Sequence, residues 1–329
     1  MAASELRRDL ITRRWVVVAK NRGKKPSDFS KKQEKKTRVC PFCPGNEKET
    51  PPEITSYNEG GLWKIRVVSN KFGAFSIDDK ELLKEKKGVL RWINGRGAHE
   101  VIICGPKHDR RIYEFSVDEM NDLLWMCKER SLDLKKDPLI ESVFIFGNEG
   151  EAAGASLEHP HWQLVGLPVV PKIIQEEIES CREYWESEDS CAFCLLTRQE
   201  KEDKSRLVSE NDNFFVISYF ASRVAFETWV LPNDHRPLFE DGGSRLIRSL
   251  AEILRDTLRR IGAVLDYPDF NIYFHSAPLQ NRTHDRYYHF HIEIIPILTK
   301  VAGFEWGTGF YISPAIPEES ADFLRKVKV

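Results

Sequence analysis

The sequence lacks the features of a membrane, secreted or nucleic-acid-binding protein. Its 329 residues contain no apolar run that approaches the ~20 residues a membrane-spanning helix needs. The first residues, Met1 to Arg8, are polar and lack the apolar stretch of a secretory signal. The formal net charge is only −2, so no global field attracts nucleic acid or an anionic membrane. We therefore expect a cytoplasmic protein that binds neither nucleic acid nor a membrane.

Cysteine is scarce, and its placement does not suit a disulfide framework. Only seven cysteines are present, and four of them lie in Cys-x-x-Cys pairs at residues 40–43 and 191–194. Each pair is followed by one histidine, His108 or His235, and later by a His-x-His motif. Two thiolates and two imidazoles supply a tetrahedral zinc set, and no thioredoxin-like βαβ pattern favours a redox role instead. The sequence therefore predicts a zinc site in each half and leaves one imidazole of each His-x-His unassigned.

The two halves share more than these metal-binding residues. In each half a short apolar strand and a proline turn lead to the lone histidine, at residues 99–108 and 226–235. A helix follows in both: Ser116 and Glu119 have the spacing of a capping box, and Ser244 precedes apolar residues at helical spacing. Each half then closes with two strands, the second of which adjoins the His-x-His motif. This repetition indicates an internal duplication.

Duplication of an antiparallel α+β unit is the simplest fold that explains the repeat. We predict two antiparallel sheets with packed helices, one sheet in residues 1–170 and one in residues 171–329. An amphipathic helix at residues 172–185 is expected to link the halves. The apolar segment at residues 66–72 is matched with residues 206–214 of the second half. Since alternate residues of a strand face the same side, both rings of each His-x-His are expected to face one cleft.

The segment before the first His-x-His carries the strongest chemical signal. Residues 147–158 contain three glycines, three alanines and a serine, a composition that lets backbone N–H groups approach an anion. The His-Pro-His-x-Gln sequence of residues 159–163 follows directly. A neutral imidazole is a competent nucleophile toward phosphorus, and an amide can donate to a phosphoryl oxygen as charge develops there. The pattern therefore favours an enzyme that acts on a phosphate over a zinc-stabilised scaffold.

Residues 147–163 resemble the active-site signature of the galactose-1-phosphate uridylyltransferase family, a branch of the histidine-triad superfamily. Residues 8–18 and 22–26 resemble the N-terminal strand and basic loop of that family, and residues 303–309 resemble its sugar-contacting segment. The resemblance covers nearly the whole chain, with the motifs in the same order. It implies a duplicated histidine-triad-like fold and, commonly, a homodimer.

The resemblance implies a ping-pong reaction of galactose metabolism. His161 matches the nucleophile, which attacks the α-phosphorus of UDP-glucose, expels glucose 1-phosphate and holds UMP as a phosphoramidate. Galactose 1-phosphate then attacks this intermediate and gives UDP-galactose. Gln163 matches the residue that hydrogen-bonds the transferred phosphate. The substrate-binding residues that the resemblance implies are Arg22, Lys25, Asn70, Asn148, Gly154, Ser156 and Glu305.

The resemblance also assigns the metal ligands, and thereby frees His161 for catalysis. The implied zinc sets are Cys40, Cys43, His108 and His159 in the first half, and Cys191, Cys194, His235 and His289 in the second. In the second half His291 is followed by Glu293 where the first half has glutamine, so we expect a structural copy that lost catalysis. His99 and His275 receive no role and are expected to be surface or packing residues.

Several alternatives fit the same sequence. The first is an adenylyl-transferring relative, such as an ADP-glucose phosphorylase, because the pocket for the base cannot be identified from the sequence. The second is a hydrolase, in which water replaces the acceptor phosphate. The third is a zinc-stabilised nucleotide-binding protein without transferase activity, which would need neither Gln163 nor the glycine-rich loop. Trp162, inside the signature, is either a plain strand residue or one that alters access to the nucleotide.

Overall fold

The computed structural model describes residues 5–18, 39–78, 81–280 and 282–329. The strands are β1 (Glu5–Arg8), β2 (Trp15–Val18), β3 (Glu53–Glu59), β4 (Leu62–Ser69), β5 (Lys84–Lys87), β6 (Leu90–Ile93), β7 (Ala98–Ile103), β8 (Ser142–Glu149), β9 (His161–Leu167), β10 (Leu207–Glu210), β11 (Phe214–Ser218), β12 (Thr228–Pro232), β13 (Phe270–His275), β14 (His291–Pro296) and β15 (Tyr311–Ser313). The helices are α1 (Val117–Leu134), α2 (Lys172–Glu188), α3 (Ala192–Asp203), α4 (Ser244–Leu265), α5 (Gly303–Thr308) and α6 (Pro317–Lys326). Among these described helices, none is both long and apolar enough to cross a membrane.

Ten strands form one sheet that runs through both halves of the chain. Its order is β3-β4-β7-β9-β8 in the first half, continued by β13-β14-β12-β11-β10 in the second. The α+β class and the duplication are thus confirmed. The two expected sheets are joined edge to edge, because β8 pairs with β13 in antiparallel register over Phe270 to Phe274. This junction places residues of the second half directly beside the glycine-rich segment of the first.

The sheet order also shows which strands of the two halves are equivalent. β4 and β11 occupy the same position, next to β7 and β12. The predicted match of residues 66–72 with residues 206–214 is therefore wrong by one strand, because residues 207–210 form the edge strand β10. Both segments share an arginine followed by apolar residues, and this local pattern does not specify which neighbour a strand pairs with.

Helices cover one face of the sheet. α1 lies on β4, β7, β8 and β9, whereas α4 lies on β10 and β11 and packs against α1. The predicted capping box begins α1: Glu119 N–H donates to the Ser116 hydroxyl, and the Glu119 carboxylate accepts from Ser116 N–H. The predicted linking helix is also present as α2.

Strand alternation separates the residues of β9 between the two faces. Trp162 and Leu164 point toward the helices and are fully buried, whereas His161 and Gln163 are half-buried on the opposite face. A Cβ at Gly147 of β8 would lie 2.5 Å from the Trp162 ring, so only glycine fits beside it. Trp162 is thus a core residue on the helix-covered face, as expected for a plain strand residue.

Two smaller sheets complete the described chain. β1, β2 and β15 form a three-stranded sheet in which the C-terminal β15 runs parallel to β2. β5 and β6 form a separate hairpin. Ion pairs from Arg7 and Arg206 to Glu318 tie the first of these sheets and the edge of the large sheet to α6.

Candidate functional site

The first predicted metal set comes together at one end of β7 and β9. Cys40, Cys43, His108 and His159 each offer a ligand atom within 4.8 Å of the others. Cys43 Sγ lies 3.5 Å from His108 Nδ1 and 3.8 Å from His159 Nδ1. Ligand atoms on a tetrahedral zinc ion are separated by about 3.6 Å, given bond lengths of about 2.0–2.3 Å. The donor set and its spacing therefore fit a zinc ion.

His159 is held in the orientation that this metal set needs. Its Nε2–H donates to the carbonyl of Gly105 at 2.7 Å, which leaves Nδ1 directed toward Cys43. The ring is fully buried, and burial lowers the pKa of His159 to about 4. An unprotonated imidazole is the form that binds a metal.

His161 is separated from this set although it is only two residues away. Its Nδ1–H donates to the carbonyl oxygen of His159 at 2.8 Å, so the Nε2 lone pair is the one available for chemistry. Burial lowers the pKa of His161, which favours the neutral ring. Phe42, which lies between Cys40 and Cys43 in the sequence, packs edge-on against this imidazole, with 5.4 Å between the ring centroids. The contact limits rotation of the His161 ring. This arrangement presents an oriented, unprotonated nitrogen.

Gln163 sits on the same face as His161, in a cluster with Asn70 and His99. Its Oε1 lies 2.8 Å from His99 Nε2 and 3.2 Å from Asn70 Nδ2. The structure therefore brings the predicted Asn70 into direct contact with Gln163. His99, which the sequence left as a surface or packing residue, completes the cluster.

The glycine-rich loop is anchored by the second half of the chain. Asn271 Nδ2 donates to Asn148 Oδ1 and to the carbonyl of Ala153, both at 2.8 Å. The Asp269 carboxylate accepts from Ala152 N–H at 2.8 Å. At Gly150, where φ is +87°, a Cβ would lie 2.0 Å from Asp269, so this turn requires glycine.

These contacts correct one expectation about the loop. The N–H groups of residues 152–155 are already engaged, one with Asp269 and three with carbonyls of Gly150 and Glu151. The prediction that backbone N–H groups of this loop cradle an anion is therefore wrong for these four positions. The predicted side-chain donors Asn148 and Ser156 lie at the two ends of the loop.

Ser156 borders a cavity of about 190 Å³ beside the first metal set. The lining includes Gly150, Cys40 and His108. Gly154, where φ is +90°, closes the short turn before Ser156, and a Cβ there would lie 3.9 Å from Asn148 Nδ2. The loop thus places Ser156 at this cavity and brings Gly154 next to the Asn148 amide.

Of the three remaining predicted substrate residues, Glu305 alone belongs to the part of the chain that the structure describes. Arg22 and Lys25 lie outside the described residues. Glu305 lies in α5, where its carboxylate accepts from Ala302 N–H and caps that short helix. Among the described contacts, none joins Glu305 to His161 or Gln163, so its sugar contact stays a prediction.

The second predicted metal set also comes together. Cys191, Cys194, His235 and His289 offer ligand atoms within 4.8 Å of one another. Cys194 Sγ lies 3.5 Å from His235 Nδ1 and 3.3 Å from His289 Nε2. The donor set matches the first one, and this set joins the start of α3 to the segment that leads into β14.

A buried cluster that the sequence did not predict lies next to this second set. Glu177, His275, His291 and Glu293 offer ligand atoms within 4.8 Å of one another and could also hold a metal ion. His275 Nδ1 lies 2.8 Å from the Glu177 carboxylate, which also accepts from Tyr288 at 2.6 Å. Glu177 was missed because it belongs to the linking helix; a carboxylate on its apolar face was the available signal.

His291 differs from its counterpart His161 in its surroundings. Both donate Nδ1–H to the carbonyl two residues earlier, at 3.3 Å for His291. The His291 ring, however, is fully enclosed: it stacks on Trp229 at 4.6 Å, and its Nε2 lies 3.5 Å from the Glu293 carboxylate. A substrate phosphorus cannot reach this nitrogen, in agreement with a second half that lacks catalysis.

Comparison with known proteins places the chain in a family. The family models described as galactose-1-phosphate uridyl transferase, N-terminal domain and C-terminal domain, match residues 1–171 and 177–314. The ADP-glucose phosphorylase of Arabidopsis thaliana is 32% identical over 99% of this chain and 93% of its own length. A galactose-1-phosphate uridylyltransferase of Thermotoga maritima is 28% identical over 99% of both.

A solved structure agrees with this placement. The crystal structure of an ADP-glucose phosphorylase from Arabidopsis thaliana with bound ADP-glucose superimposes with a TM-score of 0.84 and 30% identity, over 99% of this chain and 100% of that one. With the geometry of the His-Pro-His-x-Gln segment, these similarities establish that the chain belongs to the galactose-1-phosphate uridyl transferase family and is an enzyme of the nucleotidyltransferase type.

Proposed function

We propose that the chain transfers the nucleotidyl group of a nucleotide sugar to a second phosphate through a covalent intermediate on His161. The observation that carries the proposal is the His161 ring, whose Nδ1–H is tied to a carbonyl while Nε2 remains unprotonated. Gln163 stands two residues further on the same strand face, and Asn148 and Ser156 flank the loop beside it. A nucleophile with amide donors nearby suits a phosphorus atom whose oxygens gain charge.

In the first half-reaction, Nε2 of His161 attacks the α-phosphorus of the nucleotide sugar. A P–N bond forms, the bond from that phosphorus to the bridging oxygen breaks, and hexose 1-phosphate leaves with the electron pair. In the second, a phosphate oxygen of the acceptor attacks the same phosphorus and breaks the P–N bond. The two steps need no base to deprotonate His161, because its Nε2 carries no proton.

The two cysteine–histidine sets are proposed to hold zinc in a structural role. Zinc bound by Cys40, Cys43, His108 and His159 would cross-link the loop before β3 to the chain that follows β7 and to the chain that leads into β9. This fixes the backbone from which His161 projects and the Phe42 ring that contacts it. Zinc bound by the second set would likewise cross-link the start of α3 to the segment that leads into β14.

The preferred reaction is that of a hexose-1-phosphate uridylyltransferase, with UDP-glucose as donor and galactose 1-phosphate as acceptor. The second candidate is adenylyl transfer from ADP-glucose, with phosphate as the acceptor. The specific observation that favours it is the 32% identity to an ADP-glucose phosphorylase, against 28% to the uridylyltransferase. A homodimer and a cytoplasmic location stay predictions.

Intact-mass measurement of the enzyme distinguishes these reactions. The protein is mixed with UDP-glucose or ADP-glucose in the absence of an acceptor, and its mass is recorded at alkaline pH, where a phosphoramidate survives. An added uridylyl group supports the preferred reaction, and an added adenylyl group supports the second candidate. The adduct should be absent from His161→Asn and present in the control His284→Asn, which changes a half-exposed histidine of another loop. An enzyme that forms neither adduct, and does not exchange labelled glucose 1-phosphate into either donor, contradicts covalent transfer.

A further inference from the structure

We propose that His99 is a positioning residue that holds the Gln163 amide with its N–H groups directed toward the transferred phosphoryl group. The inference rests on the proposed function, since it assigns a role in that same reaction. His99 lies on β7, one strand away from His161 and Gln163. It is half-buried, and it contacts the amide of Gln163.

A main-chain hydrogen bond determines the tautomer of His99. The backbone N–H of Ala74 points at His99 Nδ1 from 3.2 Å. A backbone N–H can only donate, so Nδ1 must offer its lone pair. The ring proton is therefore on Nε2. This assignment depends on a main-chain group whose direction is fixed, and not on another side chain that could rotate.

The tautomer of His99 in turn determines the orientation of the Gln163 amide. His99 Nε2–H can bond only to an acceptor, and its partner at 2.8 Å is therefore the Gln163 oxygen rather than the nitrogen. Asn70 supports the same orientation. Its Oδ1 accepts from Phe72 N–H at 2.9 Å, which directs its amide nitrogen to Gln163 Oε1 at 3.2 Å. Two N–H donors of one turn, at residues 72 and 74, thus determine the orientation of an amide on another strand.

The short separation between Asn70 and His99 agrees with this assignment. Asn70 Nδ2 lies 3.1 Å from His99 Nε2, but both nitrogens carry hydrogen and so cannot bond to each other. They converge on the single oxygen of Gln163 instead. A rotated Gln163 amide would place its NH₂ group against two donors, which excludes that orientation as long as His99 is present.

The consequence for catalysis is that Gln163 presents only N–H donors to the active face. Gln163 and His161 are two residues apart on β9, so their side chains project from the same side of the strand. A phosphoryl group bonded to His161 gains negative charge on its oxygens, and a fixed donor stabilises that charge without reorganisation. Two hydrogen bonds accepted by Oε1 also polarise the amide and strengthen its N–H groups as donors.

The kinetic test is a double-mutant cycle on the rate of nucleotidyl-enzyme formation, measured in single turnovers with the donor that gives the adduct. His99→Leu should lower this rate about 10- to 100-fold while donor affinity changes little, since removal of a fixed transition-state donor costs roughly 10²–10³. His99→Gln, which retains a donor near the Nε2 position, should recover most of the rate. In a Gln163→Ala background, His99→Leu should cause no further loss.

Additive losses in the cycle, or an equal loss in a folded His99→Gln variant, would contradict the proposal, because His99 would then act independently of Gln163. Nitrogen NMR of the ¹⁵N-histidine-labelled enzyme tests the same idea without turnover. The His99 signals, assigned by their absence in His99→Gln, should show protonated Nε2 and unprotonated Nδ1. A proton on Nδ1 overturns the inference, whatever the reaction is. A wild-type enzyme that forms no adduct but shows the expected tautomer counts against the proposed function alone.

Discussion

Asn271 of the second half stands directly opposite Asn148 of the first, and its amide nitrogen lies 2.8 Å from the Asn148 oxygen. The same nitrogen donates to the Ala153 carbonyl, an unambiguous acceptor, so the Asn271 amide has one possible orientation. Asn148 must therefore direct its own NH₂ group away from Asn271 and toward the loop interior. The second half of the chain thus orients a side chain of the first half.

Asn271→Ala is expected to lower the rate of nucleotidyl-enzyme formation about tenfold, because Asn148 and the loop carbonyl lose their shared donor. The measurement is glucose 1-phosphate release in a single turnover. Asn233→Ala is the matched control: that asparagine also bonds to a carbonyl, Asn211 O, but in a turn that follows β12. Equal rates for Asn271→Ala and the control would show that the pairing of β8 with β13 joins the two halves without any effect of Asn271 on the reaction.

Trp162→Ala is expected to reduce the free energy of unfolding by about 3–5 kcal/mol, because it empties a fully buried site against Phe274 and Gly147. Trp162→Phe should lose less, since a ring still fills part of the space. Denaturant unfolding measures both. Because the indole lies on the helix-covered face, KM for the nucleotide sugar should stay unchanged in Trp162→Phe; an altered KM would place the residue near the substrate after all.

Removal of one cysteine from each set is expected to remove one zinc ion per chain, because three ligands hold the metal poorly. Metal analysis of Cys40→Ser and Cys191→Ser, compared with the wild type, tests this. Cys181→Ala is the control, since that thiol is buried but belongs to neither set. Activity should fall further in Cys40→Ser, because Phe42 of the same loop contacts His161. An unchanged zinc content in Cys191→Ser would refute the second site.

Glu318 is expected to give the protein a pH-dependent increment of stability. Burial opposes its ionisation, but Arg7 and Arg206 bond to the carboxylate and hold its pKa below the usual 4.5. A lowered folded-state pKa adds stability above about pH 4.5 that is lost as the pH falls through the folded value. Glu318→Gln should therefore cost about 1–3 kcal/mol at pH 7 and progressively less below pH 4.5.

The control for this experiment is Glu319→Gln. Glu319 lies beside Glu318 in the first turn of α6 but is exposed, so the effect of a charge near the helix N-terminus is the same in both variants. Unfolding in urea between pH 3 and pH 7 gives the free energies. A loss for Glu318→Gln that does not change with pH would show that the two arginines contribute nothing specific to ionised Glu318.

Much of the site could be predicted because its members lie close together in the sequence. A Cys-x-x-Cys pair and a His-x-His motif each place two functional groups within four residues, and the capping box at Ser116 specifies where α1 begins. Strand alternation then separates Trp162 from His161 and Gln163 without any tertiary information. The pairing of residues 66–72 with residues 206–214 failed because a short apolar pattern does not identify its neighbour in a sheet.

The sequence by itself therefore determined the duplicated α+β plan, and its resemblance to the family predicted the two ligand sets, which left His161 as the proposed nucleophile. The orientation of the amides around that histidine depended on the tertiary structure. His99 and Asn271 contact residues 64 and 123 positions away, and Glu177 meets His275 across 98 positions. Such contacts arise only when β7 pairs with β9, β8 pairs with β13 and α2 packs across the second half, since no local pattern encodes them. These distant partners determine whether the oxygen or the NH₂ group of an amide faces the proposed substrate site.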